Sequence, residues 1–497
     1  MAGPTEGRGG GWRRLGEEGS LRGVELSSFL ASALSALRVE RAPPERWRRL
    51  RDRRLRRLLA HARAHTRLGR ERLSEVDLEA PDIVTELSRI PPIDKATLMA
   101  RFEEGVVDGV PSKADIVAEL SGGPSSGGRY IFAQTSGTTG EPGLFVYDRP
   151  SWGRMNGALT ARIFRDRLIP SELARFSFGR RYRMAMLVVT GGPYASHLAA
   201  TRKPPGSGAL ADIRSFDITR PAAELRAELE AFAPHYVHGY TSALEALAED
   251  QLSGRISLRP EFVTTGSEPL GARRRARLEE AFPEARVVET YGATEHLAIG
   301  ASCSKGQLHL SADGCLLEPI RADGTLAEPG ERSDGVLLTN LHGYAQPIFR
   351  YRMSDVLGGV EEGRCACGSS LPRIAVEGRS DEVMWLLDTE GDAHPFPPVP
   401  FEVIFLKEPE VARFQLVHRR QNELEARVVP KAPEGAAALG ARLERALRAC
   451  SAAGANGRRI ELSVEVRMLD ALPREAGGKQ RQIWSRVAPS EAVRGDR

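Results

Sequence analysis

Short apolar runs alternate with amphipathic ones along most of the chain. "RYIFAQ" at 129–134 and "GLFVYD" at 143–148 are rich in β-branched and aromatic residues and predict two strands separated by a turn. Further strands are predicted at "MAMLVV" (184–189), "HYVHGY" (235–240), "EFVTTG" (261–266) and "ARVVETYG" (285–292). Between them, "AAELRAELEAF" (222–232), "TSALEALAEDQL" (241–252) and "GARRRARLEEAF" (271–282) space their apolar residues as helices do. Strands taking turns with helices predict a layered α/β domain. Beyond 378 the runs shorten and mix, as in "FEVIFL", "FQLVHR", "ELEARVV" and "IELSVEVRML", which predicts a separate α+β domain. The fold class read from the pattern is therefore α/β, with a large layered N-terminal domain over 21–378 and a small α+β C-terminal domain over 379–497. Residues 1–20, rich in Gly and Arg, are expected to be a disordered tail.

The run "ERWRRLRDRRLRRLLAHARAHTRLGRERL" (45–73) is helical in period and strongly basic. It fits a surface helix folded over the main domain; a basic amphipathic helix meeting a membrane or an acidic partner is the competing account.

Composition narrows the function class. The chain has 497 residues, 41% hydrophobic and 27% charged, with a net charge of +4. These are globular values, and the near balance of charge gives no support for nucleic-acid binding. No apolar stretch is long enough for a signal peptide or a membrane span, so a cytoplasmic location is expected. Five cysteines, at 303, 315, 365, 367 and 450, are an odd set that favours metal binding or free thiols over disulfides.

The stretch "AQTSGTTGEPGLFVYD" (133–148) concentrates hydroxyls and bare backbone between the first two predicted strands. Thr135, Ser136, Thr138 and Thr139 offer O–H donors, and Gly137 and Gly140 let amides approach a ligand closely. Such a loop suits phosphate oxygens. It is not a Walker-type loop, because no lysine follows Gly140 and a strand replaces the helix. Cys303, His309, Cys365 and Cys367 offer three thiolates and an imidazole, a donor set for a closed, structural Zn²⁺ site; separate buried cysteines are the alternative.

Four later motifs complete a recognisable order: "ETYGATEHLAIG" (289–300), "FRYRMSDVL" (349–357), "EGRSDEVMW" (377–385) and "PREAGGKQRQ" near the carboxyl end. With the hydroxyl-rich loop, they resemble the superfamily of adenylate-forming enzymes: acyl-CoA synthetases, adenylation domains and luciferases. The run from "ETYGATEH" through "CSKGQLHLSADGCLLEP" to "CACGSSLPRIAVEGRSDEV" is similar to the phenylacetate–CoA ligase branch, which includes coenzyme F390 synthetase-like proteins.

The resemblance implies roles. Residues 135–140 would hold the ATP phosphates, with Gly266, Ser267, Glu268, Gly292 and Thr294 lining the nucleotide site. Tyr291 would lie on adenine, although a plain core role competes with this. Asp355 would accept hydrogen bonds from the ribose hydroxyls, Arg379 would contact the nucleotide, and Glu295 would help hold Mg²⁺. Lys479 would neutralise charge between the carboxylate and the α-phosphate, and Asp381 would mark the hinge of a mobile small domain. Tyr194, His197, His238, Gly239 and Tyr240 are expected around the acid; His197 would either orient its carboxylate or line the wall.

The activity implied is ATP-dependent activation of a carboxylic acid, aryl or arylacetic favoured, followed by thioester formation with CoA. An amine or a carrier-protein thiol as acceptor, and a nucleotide-binding protein without turnover, are the alternatives; a homodimer is compatible with the sequence. Two departures stand out: "YRMSD" replaces the YRTGD or YRTRD of many relatives, and Gly143 follows Pro142 where many have lysine.

Overall fold

In the middle of the chain, runs that alternate apolar and small residues form strands, and the amphipathic runs between them cover the resulting sheet. The computed structural model describes residues 9–121, 128–135, 142–165, 181–188, 190, 198, 207–218, 220, 222–379, 384–391, 393–396, 401, 404–405, 407–454, 460–473 and 481–487. Ser136 to Gly140, Tyr194, His197, Asp381 and Lys479 lie outside these residues. Contacts divide the chain into two units, 1–353 with 357–376, and 354–356 with 377–497.

Two strands, β1 (Tyr130–Gln134) and β2 (Leu144–Asp148), form an antiparallel hairpin in register Gln134↔Leu144. Next come β3 (Tyr182–Val188), β4 (Ala211–Asp217), β5 (Tyr236–Tyr240), β6 (Phe262–Gly266) and β7 (Arg286–Ala293). These five pair in parallel, in the order β4-β3-β5-β6-β7. After β7 the chain turns back antiparallel through β8 (His296–Ser302) and β9 (Leu308–Leu310). With β13 (Asp355–Glu361) and β14 (Arg373–Arg379) the sheet reaches nine strands, and both of these run to the point where the chain passes between units. A separate antiparallel sheet joins β10 (Cys315–Ile320), β11 (Gly335–Asn340) and β12 (Tyr351–Met353). Side-chain alternation gives the parallel strands two apolar faces: Ala185, Leu187, Val237, Val263 and Val287 on one, Met186, Val188, Tyr236, Phe262 and Val288 on the other.

The expected tail is helical from Gly9 on, as the first turns of α1 (Gly9–Glu40). This helix continues the leucine- and alanine-rich run "LSSFLASALSAL", which explains its length. It packs on α3 (Arg149–Phe164). The seam is unusually close: a Cβ on Gly153 would lie 2.4 Å from the Glu25 carbonyl oxygen, and one on Gly157 2.1 Å from that of Phe29. Ion pairs buried at the same seam, Arg149–Glu25 at 3.2 Å and Arg165–Glu40 at 2.7 Å, fix the register of the two helices.

The basic run forms α2 (Pro44–His65) followed by a short helix, Arg67–Arg72. Its apolar face, Trp47, Leu55, Leu58, Leu59 and Ala62, is buried in the protein. Several arginines are consumed locally. Arg63 donates to the Leu73 and Val76 carbonyls, Arg56 to those of Leu78 and Ala80, and Arg54 pairs with Asp313 at 3.1 Å. No described helix is long and apolar enough to cross a membrane.

The second unit holds a hairpin of β15 (Met384–Leu387) and β16 (Ala393–Phe396), then β17 (Val411–Arg420) paired antiparallel with β18 (Glu423–Pro430), flanked in parallel by β19 (Ser463–Met468) on β18 and β20 (Ile483–Ser485) on β17. A helix, α5 (Ala436–Gly454), contributes Leu439, Leu443 and Leu447 to the core of this unit. "FEVIFL", which reads as a strand by its apolar run, is helical at Phe401, Ile404 and Phe405. Phe405 stacks on Phe414 with centroids 4.0 Å apart, so tertiary packing overrides local propensity there.

Gly157→Ala tests the seam. Replacing a helical glycine by alanine ordinarily stabilises, by about 1 kcal/mol. Here the methyl group meets backbone, and the expected result is a loss of about 1–3 kcal/mol in urea unfolding. A gain in stability would mean that α1 does not sit on α3 as described.

Candidate functional site

The hydroxyl-rich loop is closed at its base. Thr135 N–H donates to the Gly143 carbonyl at 2.9 Å, and Gly143 N–H donates to Thr135 Oγ1 at 2.7 Å. The Thr135 hydroxyl oxygen therefore secures the base of the loop and keeps its own proton to donate. A Cβ on Gly143 would lie 2.9 Å from the Phe145 ring and 3.3 Å from Thr135 Oγ1, so glycine suits this close approach.

Strand β2 leaves this loop and ends beside a second motif. The "YGATEH" residues form the β7–β8 hairpin, with Thr294 and Glu295 as the two turn residues between the paired Ala293 and His296. The register shifts between Tyr291 and Ala293, and Gly292 occupies the irregularity because a Cβ there would lie 2.4 Å from the Leu297 carbonyl. The Tyr147 hydroxyl donates to the Thr294 carbonyl, and Asn340 Nδ2 donates to that of Glu295 at 2.9 Å. Burial, and then the nearby Glu295 charge, raise the Tyr147 pKa well above the usual phenol range, so the phenol stays a neutral donor. Glu295 is buried at the turn, and Tyr291 is only 8% exposed within the main core cluster.

A third group lies at the carboxyl ends of the parallel strands, where open α/β sheets bind ligands. Gly266 closes β6, and Ser267 follows with φ of 67°, a conformation that non-glycine residues adopt at a cost of about 1–3 kcal/mol. The Glu268 carboxylate accepts from Ser242 N–H at 2.7 Å and from Ser242 Oγ at 3.0 Å, while its carbonyl accepts from Thr241 Oγ1 at 2.9 Å. It thus sits on the N-terminus of α4 (Thr241–Leu252), where a negative charge meets the positive end of the helix dipole. His238, Gly239 and Tyr240 stand on the neighbouring strand, and a Cβ on Gly266 would lie 3.3 Å from His238 Cε1 and 3.0 Å from Thr290 Oγ1. Gly266, His238 and Thr290 are thereby brought together, one residue from Tyr291. Tyr147 and Asn340 carry no motif signal; only strand alternation in "GLFVYD" hints that Tyr147 points inward.

Asp355 opens β13 and Arg379 ends β14, both in the second unit. In that unit the flanks of the segment containing Lys479 are tied to β17. Gln415 Nε2 donates to the Pro473 carbonyl at 3.0 Å, Leu416 N–H to that of Gln482 at 2.7 Å, and His418 Nδ1 lies 2.9 Å from Ser485 Oγ.

The ligand atoms of Cys303, His309, Cys365 and Cys367 all lie within 4.8 Å of one another. Two tight turns present the cysteines. Gly306 N–H donates to the Cys303 carbonyl at 2.9 Å and Gly368 N–H to that of Cys365 at 2.8 Å, with both glycines at positive φ. His309 Nδ1 is 3.1 Å from the Leu371 carbonyl, which takes its proton and leaves Nε2 facing Cys367 Sγ at 3.5 Å. Burial, then crowding by the neighbouring thiols, pushes Cys367 up to about 12. A metal cation relieves that crowding, so the four donors fit a closed metal site.

No family model matches the chain. Its sequence is 24% identical over 398 residues to a phenylacetate–coenzyme A ligase of Thermus thermophilus, covering 78% of this chain and 81% of that protein. Among solved structures it is similar to a 2-hydroxyisobutyryl-CoA ligase in its post-adenylation state with 2-HIB-AMP. The TM-score is 0.65 at 18% identity, over 91% of this chain and 92% of that one. The same ligase in its thioesterification state, with 2-HIB-AMP and CoA, matches with a TM-score of 0.52 at 20% identity, over 90% and 91%.

Proposed function

From the adenylate-forming ligase fold of this chain, we propose that it is an AMP-forming acid–CoA ligase acting on an aryl or arylacetic acid. The observation that carries this reading is the Tyr147 hydrogen bond, which ties the far end of the strand leaving the phosphate-suited loop to the Thr294–Glu295 turn. In the first half-reaction a substrate carboxylate oxygen attacks the α-phosphorus of ATP; an acyl-adenylate forms and pyrophosphate leaves. In the second, the CoA sulfur attacks the acyl carbon, giving the thioester and AMP.

Residues 135–140 would present hydroxyls and amides to the β- and γ-phosphates, which lowers the cost of the charge that leaves with them. Glu295, a buried carboxylate in the β7–β8 turn, fits a hard cation; Mg²⁺ held there with the phosphates would screen their negative charge. Tyr291 would pack on adenine, Asp355 would accept from the ribose hydroxyls, and Arg379 would add a nucleotide contact. Gly266 and Ser267 would bring backbone to the nucleotide, while Glu268 would hold their loop against α4. Lys479 would place its ammonium between the attacking carboxylate and the α-phosphate. Asp381 is proposed as the hinge, and Tyr194, His197, His238, Gly239 and Tyr240 as the acid pocket.

Acid-dependent pyrophosphate exchange tests adenylation, and adding or omitting CoA then separates thioester formation from transfer to an amine or a carrier thiol. Lys479→Ala is expected to lower exchange by about 100-fold or more, the scale of losing one preorganised charge contact, while ATP still binds. Unchanged exchange would mean this lysine is misassigned.

The Cys303, His309, Cys365 and Cys367 cluster is proposed to hold one structural Zn²⁺, with no position left for substrate. Elemental analysis should find one zinc per chain, lost in a Cys365→Ser, Cys367→Ser variant together with a lower Tm. Well under one zinc per chain in the unmodified protein would remove this site.

A further inference from the structure

The first two helices carry apolar surface and positive charge that the folded chain leaves unused. On α1, Val24, Leu30 and Leu34 are 45%, 52% and 55% exposed, with the exposed Ser27 and Ala31 between them. Positions 24, 27, 31, 34 and 38 recur every three or four residues and so share one side of the helix, opposite the buried Glu25, Ser32 and Ala36. Of the seven large apolar side chains exposed among the described residues, three stand on this one face; the other four are scattered over separate parts of the chain. Single exposed leucines are ordinary, whereas an aligned row marks a contact surface.

Charge on the same face is one-sided. Both carboxylates of α1 between residues 20 and 40 are taken inward, Glu25 by Arg149 and Glu40 by Arg162 and Arg165. No exposed residue from 20 to 44 is acidic, while Arg22, Arg38 and Arg41 are exposed and have no ion-pair partner among the described residues. Helix α2 repeats the imbalance. Arg48, Arg51 and Arg54 are matched by Glu362, Asp52 and Asp313. Arg46, Arg49, Arg53 and Arg57 are not, and they form an exposed row at steps of three and four beside one exposed acid, Glu45. The two helices are tied side by side, since Arg54 Nη2 donates to Ser35 Oγ at 3.3 Å. The residue before each of these, Arg53 and Leu34, is exposed, so the arginine row borders the leucine row.

We propose that α1 and α2 form a docking surface for an anionic lipid bilayer, with Val24, Leu30 and Leu34 entering the boundary of headgroups and acyl chains and the arginines meeting lipid phosphates. The inference goes beyond the ligase reading and does not depend on it. A helix ridge is convex, and the exposed apolar side chains on it are aliphatic, without an aromatic anchor. That is little for a protein partner, whose interface needs about 800 Å² on each side and a packed centre. A bilayer asks for no matching shape: each inserted side chain and each guanidinium contributes by itself. Arginine suits the place, because its stem lies along apolar surface while its planar head binds phosphate. The protein would lie on the bilayer, since no described helix is long and apolar enough to cross it.

The test is flotation of the full chain with vesicles of phosphatidylcholine alone and of phosphatidylcholine mixed equally with phosphatidylglycerol. Partition onto the mixed vesicles should be at least about 10-fold stronger at low salt, and should weaken when salt is raised to about 0.5 M. Leu30→Gln with Leu34→Gln, which keeps helix propensity, should lower that partition roughly 10-fold. Arg53→Glu should lower it about 5-fold or more, the worth of one arginine at an anionic surface. Arg259→Glu, the same charge change at an exposed position just before β6, should lower it by about 2-fold at most. Tm should stay unchanged in all of these variants, because the altered side chains are exposed. Equal partition onto the two kinds of vesicle overturns the inference, as does partition that survives the leucine pair or falls equally with Arg53→Glu and Arg259→Glu. Binding to polyglutamate as tight as to the mixed vesicles, and undiminished by the leucine pair, would assign the face to an acidic protein and overturn it as well.

Discussion

The hydrogen bond from Tyr147 to the Thr294 carbonyl is the constraint on which the proposed chemistry depends. On the proposed reading, two parts of the sequence would meet a phosphate or its counter-ion. The first is a loop closed at Thr135 and Gly143; the second is a tight turn ending in a buried carboxylate. Neither is informative alone, because a hydroxyl-rich turn and a hairpin acid are both common. Joined by a neutral phenol at the end of β2, they face one task. The next residue, Asp148, caps α3 through Ser151 N–H at 2.6 Å, so the same short strand also sets the start of that helix.

Rigidity is added around this junction by means that recur in the molecule. Glycines admit close backbone approach at Gly292 and along the α1–α3 seam, and buried carboxylate–guanidinium pairs fix which residues meet. Glu268 does comparable work at the ends of β5 and β6, spending its charge on the first turn of α4. The Cys–His cluster lies beyond β8, where β9 pairs with β14 through His309 and Arg373. A metal there would tie the β8–β9 region to the connection between β13 and β14.

Much of this architecture is legible in the sequence, and the limits are physical. The parallel strands could be read because their apolar runs are short and bounded by glycine or by helical periodicity, as at "EFVTTG". The first helix was masked by a Gly- and Arg-rich start, although "LSSFLASALSAL" supports it. "FEVIFL" misleads because a buried helix and a buried strand share the same unbroken apolar run. Among site residues, Ser136, Glu295 and the cysteines announce themselves through hydroxyl density, motif order or donor type. Tyr147 and Asn340 do not, since their contributions are single hydrogen bonds to distant backbone groups that no local pattern encodes. The Glu268 carboxylate reads as part of the nucleotide segment, whereas in the fold it accepts from Ser242.

The most direct test of the account is Tyr147→Phe, which keeps the buried ring and removes one donor. ATP saturation of acid-dependent pyrophosphate exchange should show KM for ATP raised by about 2- to 10-fold, the worth of one such hydrogen bond, with Tm nearly unchanged. An unaltered KM in a folded variant would contradict the claim that this phenol, by anchoring β2 on the Thr294–Glu295 turn, supports ATP binding.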